Sequence, residues 1–481
     1  MIQKRPPIVV ILGHIDHGKS TLLDTIQKTN IVANEFGGIT QKISAYEISY
    51  QNHKITFIDT PGHSAFFKLR EKGAQIADLA ILIIAADEGI KPQTIECLDY
   101  IKKFNLPFIV AFNKIDKPHV NLDKVKQQLA DLDVLVEDWG GQIPSVNISA
   151  LKNIGINELL DLILLLADIL DLKYDDQLTG EGYVLEITKD NRKGILVGAI
   201  ITNGKIKTGD YLTTATTSGK IKFLENHFGQ KIDSAYPSMP VIINGFENPP
   251  QPGEIFKVVD KETLNKVKIE LQEKEINFRR KIILVSEDYK LEINLIIKTD
   301  VFGSLEALEY LLNNLAKDYH IKFNLIKGDV GLLTSEDLKL AKQTNSIIIA
   351  FNIKLPKTIY EEIKNLNILL IESNIIYEIE DKIKDIIEIK KEEKNHKGEL
   401  QVLGVFNKTA SKKTIGGQVI YGKLKLNDKV LIIREGTIIG KGKIISLEKN
   451  KNPVNEVFEK DLCGLIINTN VDININDYLL V

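Results

Sequence analysis

A short apolar run, residues 8–12, leads straight into Gly13-His14-Ile15-Asp16-His17-Gly18-Lys19-Ser20, and the chain from Thr21 onward has a helical pattern. The octet fits GxxxxGK[ST] in the strand-to-helix setting that pattern needs, so this stretch must fold as strand, Gly-rich turn and helix, in that order. Glycines let successive backbone N–H groups turn inward around phosphate oxygens at a helix N-terminus. Lys19 can reach the β- and γ-phosphates, and the Ser20 hydroxyl can ligate magnesium. Residues 13–21, Thr21 included, are the expected phosphate cradle.

The surrounding pattern extends this into a domain. Apolar runs at 8–12, 55–58, 79–85, 108–112 and 145–148 alternate with helical segments, and each ends in a polar cluster. That alternation indicates a doubly wound α/β sheet, whose ligands bind beyond the carboxyl ends of the strands. Asp59-Thr60-Pro61-Gly62 ends the second run. It supplies a carboxylate to hold magnesium through water and a glycine N–H able to sense a γ-phosphate. Asn113-Lys114-Ile115-Asp116 ends the fourth. A carboxylate at Asp116 can accept from guanine N1 and the 2-amino group, a donor pair adenine lacks, so the nucleotide is GTP or GDP. Ser149 and Ala150 end the fifth run, where backbone N–H groups can meet the guanine carbonyl.

From residue 180 the pattern becomes short alternating strands with Gly-rich turns, at 182–188, 195–202 and 210–214, which indicates a β-barrel. A weak repeat follows: Gly204-Lys205-Ile206-Lys207-Thr208-Gly209-Asp210 is matched by Gly422-Lys423-Leu424-Lys425-Leu426-Asn427-Asp428, so a second barrel should close the chain. Between them, strand runs at 291–298, 321–327, 346–351 and 368–371 alternate with helical stretches at 304–315 and 335–343, a second α/β layer domain. Charged helices near 261–275 and 376–395 flank it, and their Lys and Glu mixture is that of solvated faces. The fold class is therefore multidomain α/β plus β-barrels. The expected divisions are residues 1–172, 173–260, a linker helix 261–285, 286–373, a connecting helix 374–396, and 397–481.

Composition excludes several other classes. With 26% charged and 43% hydrophobic residues over 481 positions, the chain is neither disordered nor a disulfide framework. Cys97 and Cys463 lie far apart with no Cys/His cluster, which fits a reducing compartment and two small buried hydrophobes. The start of the chain leaves no room for a signal peptide, and the most apolar stretch, 159–172, is too short to span a bilayer and carries Asp161 and Asp168. A cytoplasmic protein without a membrane partner is expected. Net charge is only -3, yet residues 397–481 carry about 13 basic against about 9 acidic groups, as an RNA-binding end would.

Taken together, Gly13-His14-Ile15-Asp16-His17-Gly18-Lys19, Gly37-Gly38-Ile39-Thr40-Gln41, Asp59-Thr60-Pro61-Gly62-His63, Pro92-Gln93-Thr94-Ile95-Glu96 and Glu137-Asp138-Trp139-Gly140-Gly141 resemble a translational GTPase of the bacterial translation initiation factor 2 family. The segment from Ile296 to Leu308, with Thr299-Asp300-Val301-Phe302-Gly303-Ser304, is similar to the start of that family's second α/β domain. The resemblance implies that Thr40 ligates magnesium with Ser20 and with Asp59 acting through water. It implies that Ile15 and Ile39 flank the attacking water, that Asp16 faces the phosphates and a bound cation, and that His63 orients the water. His63, Asp16 and Thr40 are thus the expected catalytic set. His14 and His17 belong to the loop without an assigned role. The implied partners are initiator formyl-methionyl-tRNA, the small and large ribosomal subunits with their rRNA, and other initiation factors, the protein being a monomer off the ribosome.

The terminal barrel would then hold the aminoacyl end of the tRNA, through Cys463, Gly464 and the group Lys423, Lys425, Lys449 and Lys451. Near them the chain departs from the family pattern, with Lys449-Asn450-Lys451 in place of an Arg-Phe pair after Lys and Leu462 in place of Glu. Lys42 and Leu151 are further departures, at positions whose side chains phosphate chemistry does not need. Two other readings compete: a tRNA-delivering factor of the selenocysteine-specific elongation type, and a ribosome-docking protein that has lost GTP turnover. A delivery factor would carry barrels in succession, whereas here an α/β domain separates them.

Overall fold

The computed structural model describes residues 2–27, 40–118, 120–175, 177–190, 192–265, 291–395, 398–408, 412–434, 437–450 and 452–481. Alternate residues of the first strand, Ile8–Gly13, face opposite sides of a sheet whose two faces are both covered. Val9 and Ile11 pack with Leu22 and Leu23 of α1 (Lys19–Gln27) and with Leu159 and Ile163 of α5 (Ile156–Leu170). Ile8, Val10 and Leu12 pack on the other face with Leu69 of α2 (Phe67–Ile76), Cys97 and Ile101 of α3 (Pro92–Lys103) and Leu129 of α4 (Leu122–Ala130). Burial on both sides is why the strand reads as a continuous apolar run rather than an alternating one. Each such side chain contributes about 1.5–3 kcal/mol.

The sheet runs in the order Ser44–Tyr50, His53–Asp59, Ile8–Gly13, Leu79–Ala85, Phe108–Asn113, Ser145–Asn147. The last five strands are parallel. The edge strand Ser44–Tyr50 is antiparallel and was not among the expected strands; it returns through Gln51 and Asn52, both left-handed at φ 46° and 65°, a two-residue turn that matches strand twist.

A closed antiparallel barrel follows, built on Glu181–Asp190, Gly194–Asn203, Pro240–Phe246 and Ser218–Asn226, with Tyr211–Thr213 and Ile255–Val259 closing it. The second α/β unit is a parallel sheet in the order Ile321–Val330, Leu291–Thr299, Ile347–Phe351, Leu370–Ser373. Its helices are α6 (Phe302–Tyr319), α7 (Ser335–Thr344) and α8 (Lys357–Leu366). The terminal barrel is built largely on Gly398–Lys408, Lys412–Lys425, Lys429–Arg434, Thr437–Lys449 and Leu462–Asn468.

The repeat seen in the sequence is one turn built twice. In the first barrel Lys207 N–H donates to Asp210 Oδ2 at 2.9 Å, and Ile221 N–H to the Asp210 carbonyl at 2.9 Å. In the last barrel Lys425 N–H donates to Asp428 Oδ2 at 2.7 Å, and Ile444 N–H to the Asp428 carbonyl at 2.9 Å. The aspartate satisfies a turn N–H in each barrel, which explains its recurrence.

One expectation needs correcting. The helix α9 (Ile376–Asn395) is not simply a solvated spacer: Ile376, Ile379, Ile383, Ile386 and Ile387 are buried on one face, and Ile389 packs with Leu431, Ile433 and Leu480 of the last barrel. Its Lys and Glu residues masked a stripe with helical spacing. The other charged helix, expected at 261–275, lies outside the described residues beyond its first turn at 261–265. The units also touch one another, through Lys72–Glu306 at 2.7 Å and through Thr56 Oγ1, which donates to the Ser238 carbonyl at 2.5 Å. Among the described residues no helix is long and apolar enough to cross a membrane.

Candidate functional site

The strand Ile8–Gly13 delivers its glycine turn directly onto the N-terminus of α1. Gly18 sits at φ +95°, a conformation side-chain-bearing residues rarely adopt, and Asp16 at φ 60°. Lys19 is buried and its ammonium donates to the carbonyls of Gly13 at 3.0 Å and His14 at 2.7 Å. Burial pulls its pKa below the ordinary lysine range, so an incoming phosphate would meet a desolvated cation. His17 is buried and held neutral, lowered to about 4 chiefly by burial, with its Nδ1 3.4 Å from the Ile83 carbonyl. His14, its ring 5.1 Å away, is lowered by the same cause. Both shape the loop as uncharged groups.

Three side-chain oxygens meet beside Lys19. Ser20 Oγ lies 2.7 Å from Thr40 Oγ1, which donates to Asp59 Oδ2 at 3.1 Å. Two hydroxyls and one carboxylate are hard donors suited to magnesium, which keeps several waters and takes phosphate oxygens for the rest of its shell. Among the described residues no group of three His, Cys, Asp or Glu side chains could form an all-protein metal cage. Ile39, expected with Ile15 to flank the water, lies outside the described residues, as do Gly37 and Gly38 before it.

The base side is assembled by Asn113. Its Nδ2 donates to the His17 carbonyl at 2.8 Å while its Oδ1 accepts from Ala150 N–H at 3.0 Å, so one side chain ties the phosphate loop to the end of the fifth strand. Ser149 Oγ donates to Asp116 Oδ1 at 2.5 Å, which fixes the carboxylate and holds its pKa below the usual range. Lys114, left-handed at φ 63°, lays its ammonium 3.2 Å from Glu88.

The third wall carries Gly62 and His63. A Cβ at Gly62 would lie 2.7 Å from Lys19 Nζ and 3.1 Å from the Ile15 backbone, so a larger residue there would push the lysine head aside. His63 is 6% exposed, and its Nδ1 accepts from Ala65 N–H at 2.9 Å, leaving the proton on Nε2. Burial lowers it to about 4. Two groups here escaped the sequence reading. Arg70, fully buried, donates to the carbonyls of Pro61 at 2.9 Å and His63 at 2.6 Å and to Glu96 at 2.6 Å. Gln93 Oε1 accepts from the Ile15 N–H at 3.1 Å. Gln93 and Glu96 belong to the Pro92–Glu96 motif, which carries the family resemblance without a role for either, and Arg70 belongs to no motif.

In the terminal barrel, Cys463 and Gly464 line a cavity of about 410 Å³ with Leu403, Phe406, Leu462 and Asn450. Leu403, Phe406 and Leu462 are exposed apolar groups there, at 47%, 76% and 61%. The structure does not bring the expected lysines together at this cavity. Lys423 and Lys425 lie near the end of the long strand Lys412–Lys425, opposite Phe458 and Glu456 and within 3.5 and 4.0 Å of the Glu456 carboxylate. The strand pairs in its own register, which carries those positions several residues past Gly416 and Gly417 at the cavity. Lys449 adjoins Asn450 but is paired with Asp461 at 2.7 Å, and Lys451 lies outside the described residues.

A P-loop sheet with a carboxylate held just beyond its Phe108–Asn113 strand, followed by an antiparallel barrel, is the architecture of the translational GTPase class. Family models match accordingly: the elongation factor Tu GTP binding domain over residues 4–168, elongation factor G domain 2 over 179–259, and translation-initiation factor 2 over 264–384. The chain is 39% identical over 482 residues to the chloroplastic translation initiation factor IF-2 of Rhodomonas salina, covering 97% of this chain and 64% of that protein. It is 37% identical to translation initiation factor IF-2 of Onion yellows phytoplasma, covering 99% of this chain and 79% of that one. GDP-bound aIF5B from Aeropyrum pernix matches with a TM-score of 0.50 and 25% identity over 99% of this chain and 92% of that one. The chain belongs to the translation initiation factor IF-2 family, and it spans less than two thirds of the Rhodomonas relative's length.

Proposed function

We propose that the chain is a translation initiation GTPase, which binds GTP with magnesium, engages initiator formyl-methionyl-tRNA and the small ribosomal subunit, promotes joining of the large subunit and hydrolyses GTP to GDP and phosphate on the ribosome. The observation that carries this reading is the meeting of Ser20, Thr40 and Asp59 oxygens within 2.7 and 3.1 Å, beside the buried Lys19. Thr40 stands well beyond Ser20 in the sequence, and its hydroxyl links the Ser20 hydroxyl to the Asp59 carboxylate. Magnesium, when bound, neutralises charge developing on the β- and γ-oxygens. The chain itself supplies the rest. Lys19 and the loop N–H groups bind phosphate, Asp116 reads guanine, Asn113 fixes the loop to the base wall, and neutral His63 orients a water by hydrogen bonding.

Asp16, left-handed within the loop, would face the phosphates and a bound cation in this reading. The exposed apolar rim of the terminal barrel, with Cys463 and Gly464, suits a methionyl side chain, and Lys449, next to Asn450 of that rim, is the cation that would meet an acceptor-end phosphate. Other initiation factors, both ribosomal subunits, a cytoplasmic site of action and a monomeric state off the ribosome belong to the same reading. The test is single-turnover hydrolysis of GTP with and without 70S ribosomes. Ribosome-stimulated turnover that falls by roughly 10²-fold or more in His63→Ala, with GDP affinity nearly intact, supports the reading. Absence of stimulated turnover in the parent chain overturns it in favour of a docking protein.

A further inference from the structure

The imidazole of His63 has a neighbour from far along the chain. The ring of Tyr377, in the first turn of α9, lies with its centroid 4.1 Å from that of His63 and its plane inclined by 62°. On other sides the imidazole meets the ring of Phe66 at 6.0 Å and accepts the Ala65 N–H. This holds His63 in one orientation, and its burial in a site meant for water and phosphate depends partly on a tyrosine that is itself 42% exposed.

The same helix turn is gripped by the residue after Thr40. Gln41 Nε2 donates to the Asn374 carbonyl at 2.7 Å, and the Ile376 N–H donates to Gln41 Oε1 at 3.4 Å. Glu380, one turn further along α9, acts on the His63 charge as well. The two segments placed to respond to a γ-phosphate, at Thr40 and at His63, therefore both rest on the start of α9. The Tyr377 ring sits on the imidazole, and the turn that carries it is held by Gln41, so a displacement of that turn would lift the ring from His63.

We propose that Tyr377 is a positioning residue for His63: seated on the imidazole, it parks the group and holds hydrolysis down until the first turn of α9 is displaced. The proposal rests on the reading of His63 as the water-orienting residue, and the experiment separates the two. GTP hydrolysis by the full chain is measured without and with ribosomes for the parent, Tyr377→Ala, Tyr377→Phe, His63→Ala and the Tyr377→Ala/His63→Ala pair. Tyr377→Ala is expected to raise the ribosome-free rate about tenfold, Tyr377→Phe to retain the suppressed rate because the ring does the covering, and the double variant to fall back to the His63→Ala rate. Gln41→Ala, which loosens the same turn without touching the ring, is expected to raise the ribosome-free rate in the same direction. In parallel, NMR titration of labelled histidine is expected to move His63 from about 4 toward its ordinary value in Tyr377→Ala, a shift that general loosening elsewhere would not produce. A ribosome-free rate unchanged or lowered in Tyr377→Ala, with His63→Ala still slow on the ribosome, overturns the positioning role alone. A His63→Ala variant as fast as the parent on the ribosome overturns the reading beneath it.

Discussion

Arg70 holds His63 by its backbone: the guanidinium donates to the His63 carbonyl at 2.6 Å and, through the same nitrogen, to Pro61 at 2.9 Å, while its other terminal nitrogen pairs with Glu96 at 2.6 Å. Two carbonyls of the Asp59–His63 segment thus hang from one fully buried side chain. Tyr100 donates to the same Glu96 oxygen at 2.7 Å, so the anchor is itself anchored. Arg70→Ala is expected to cost about 3 kcal/mol, the low end for breaking a buried ion pair because Glu96 retains some exposure. Arg70→Lys should recover less than half of it, since a point charge cannot serve three acceptors in a fork. Urea unfolding checks both; a cost under 1 kcal/mol for the alanine variant would show that the carbonyls find water instead.

Much of this site was legible because each phosphate or base motif sits at the end of an apolar run, where an open α/β sheet puts its ligands. The convergence of Ser20 with Asp59 and of Asn113 with Ala150 follows from that topology. Arg70 was not legible in this way, but a different signal existed. Arginine is scarce here, about six among 62 basic residues. Those at 5, 70 and 434 use their forks, Arg5 on both Asp78 oxygens and Arg434 on both Asp477 oxygens. In a chain that uses lysine almost everywhere, an arginine marks a place where planar, multidentate geometry is needed. Tyr377 could not be read from sequence at all, since its partner is set by how α9 docks. The stripe of isoleucines that docks it was present in the spacing and was hidden by the surrounding charge.

Asp116 is preset by Ser149 and stands exposed at the base wall. Asp116→Asn keeps an acceptor for the Ser149 hydroxyl and turns the other oxygen into a donor. GTP affinity is expected to fall by about 10²-fold or more, with xanthosine triphosphate now preferred, because its 2-oxo group accepts where the guanine 2-amino group donated. Competition between the two nucleotides for a fluorescent GDP analogue reads the switch directly, and unchanged GTP preference would remove Asp116 from base recognition.

Glu186 gives stability a pH dependence that the nucleotide site does not share. Its Oε1 accepts from the Ile187 N–H at 3.0 Å and from the Gly303 N–H at 3.2 Å, joining the first barrel to α6, and burial raises the carboxyl to about 8. The folded group keeps its proton above the pH at which the unfolded one loses it. Between about 4.5 and 8 the native state therefore binds more protons, and this contribution to stability declines as pH rises through that window. Glu186→Gln keeps the acceptor oxygen and cannot ionise. Its melting temperature should lie close to that of the parent near pH 5 and exceed it at pH 8, by an amount equivalent to roughly 4 kcal/mol. A variant less stable at both pH values would mean that the carboxylate is ionised in the fold.

The cavity of the terminal barrel separates shape from charge. A Cβ at Gly464 would meet nothing within 4 Å, so a larger residue there enters the cavity space without pressing on its walls. Gly464→Val is expected to leave the melting temperature nearly unchanged and to weaken binding of formyl-methionyl-tRNA to the full chain by about tenfold, the scale of a lost apolar fit in a side-chain pocket. Its salt dependence should stay parallel to that of the parent, because no phosphate contact has been altered. Lys449→Ala should do the reverse. It removes a cation beside the cavity, so the slope of log affinity against log salt should flatten by about one while the preference for charged over uncharged tRNA persists. An unchanged slope would show that Lys449 stays with Asp461, 2.7 Å away in the free chain, and meets no phosphate. Fluorescence titrations of both variants at several salt concentrations decide the matter, and a Gly464→Val protein that binds formyl-methionyl-tRNA as tightly as the parent would place the methionyl end elsewhere.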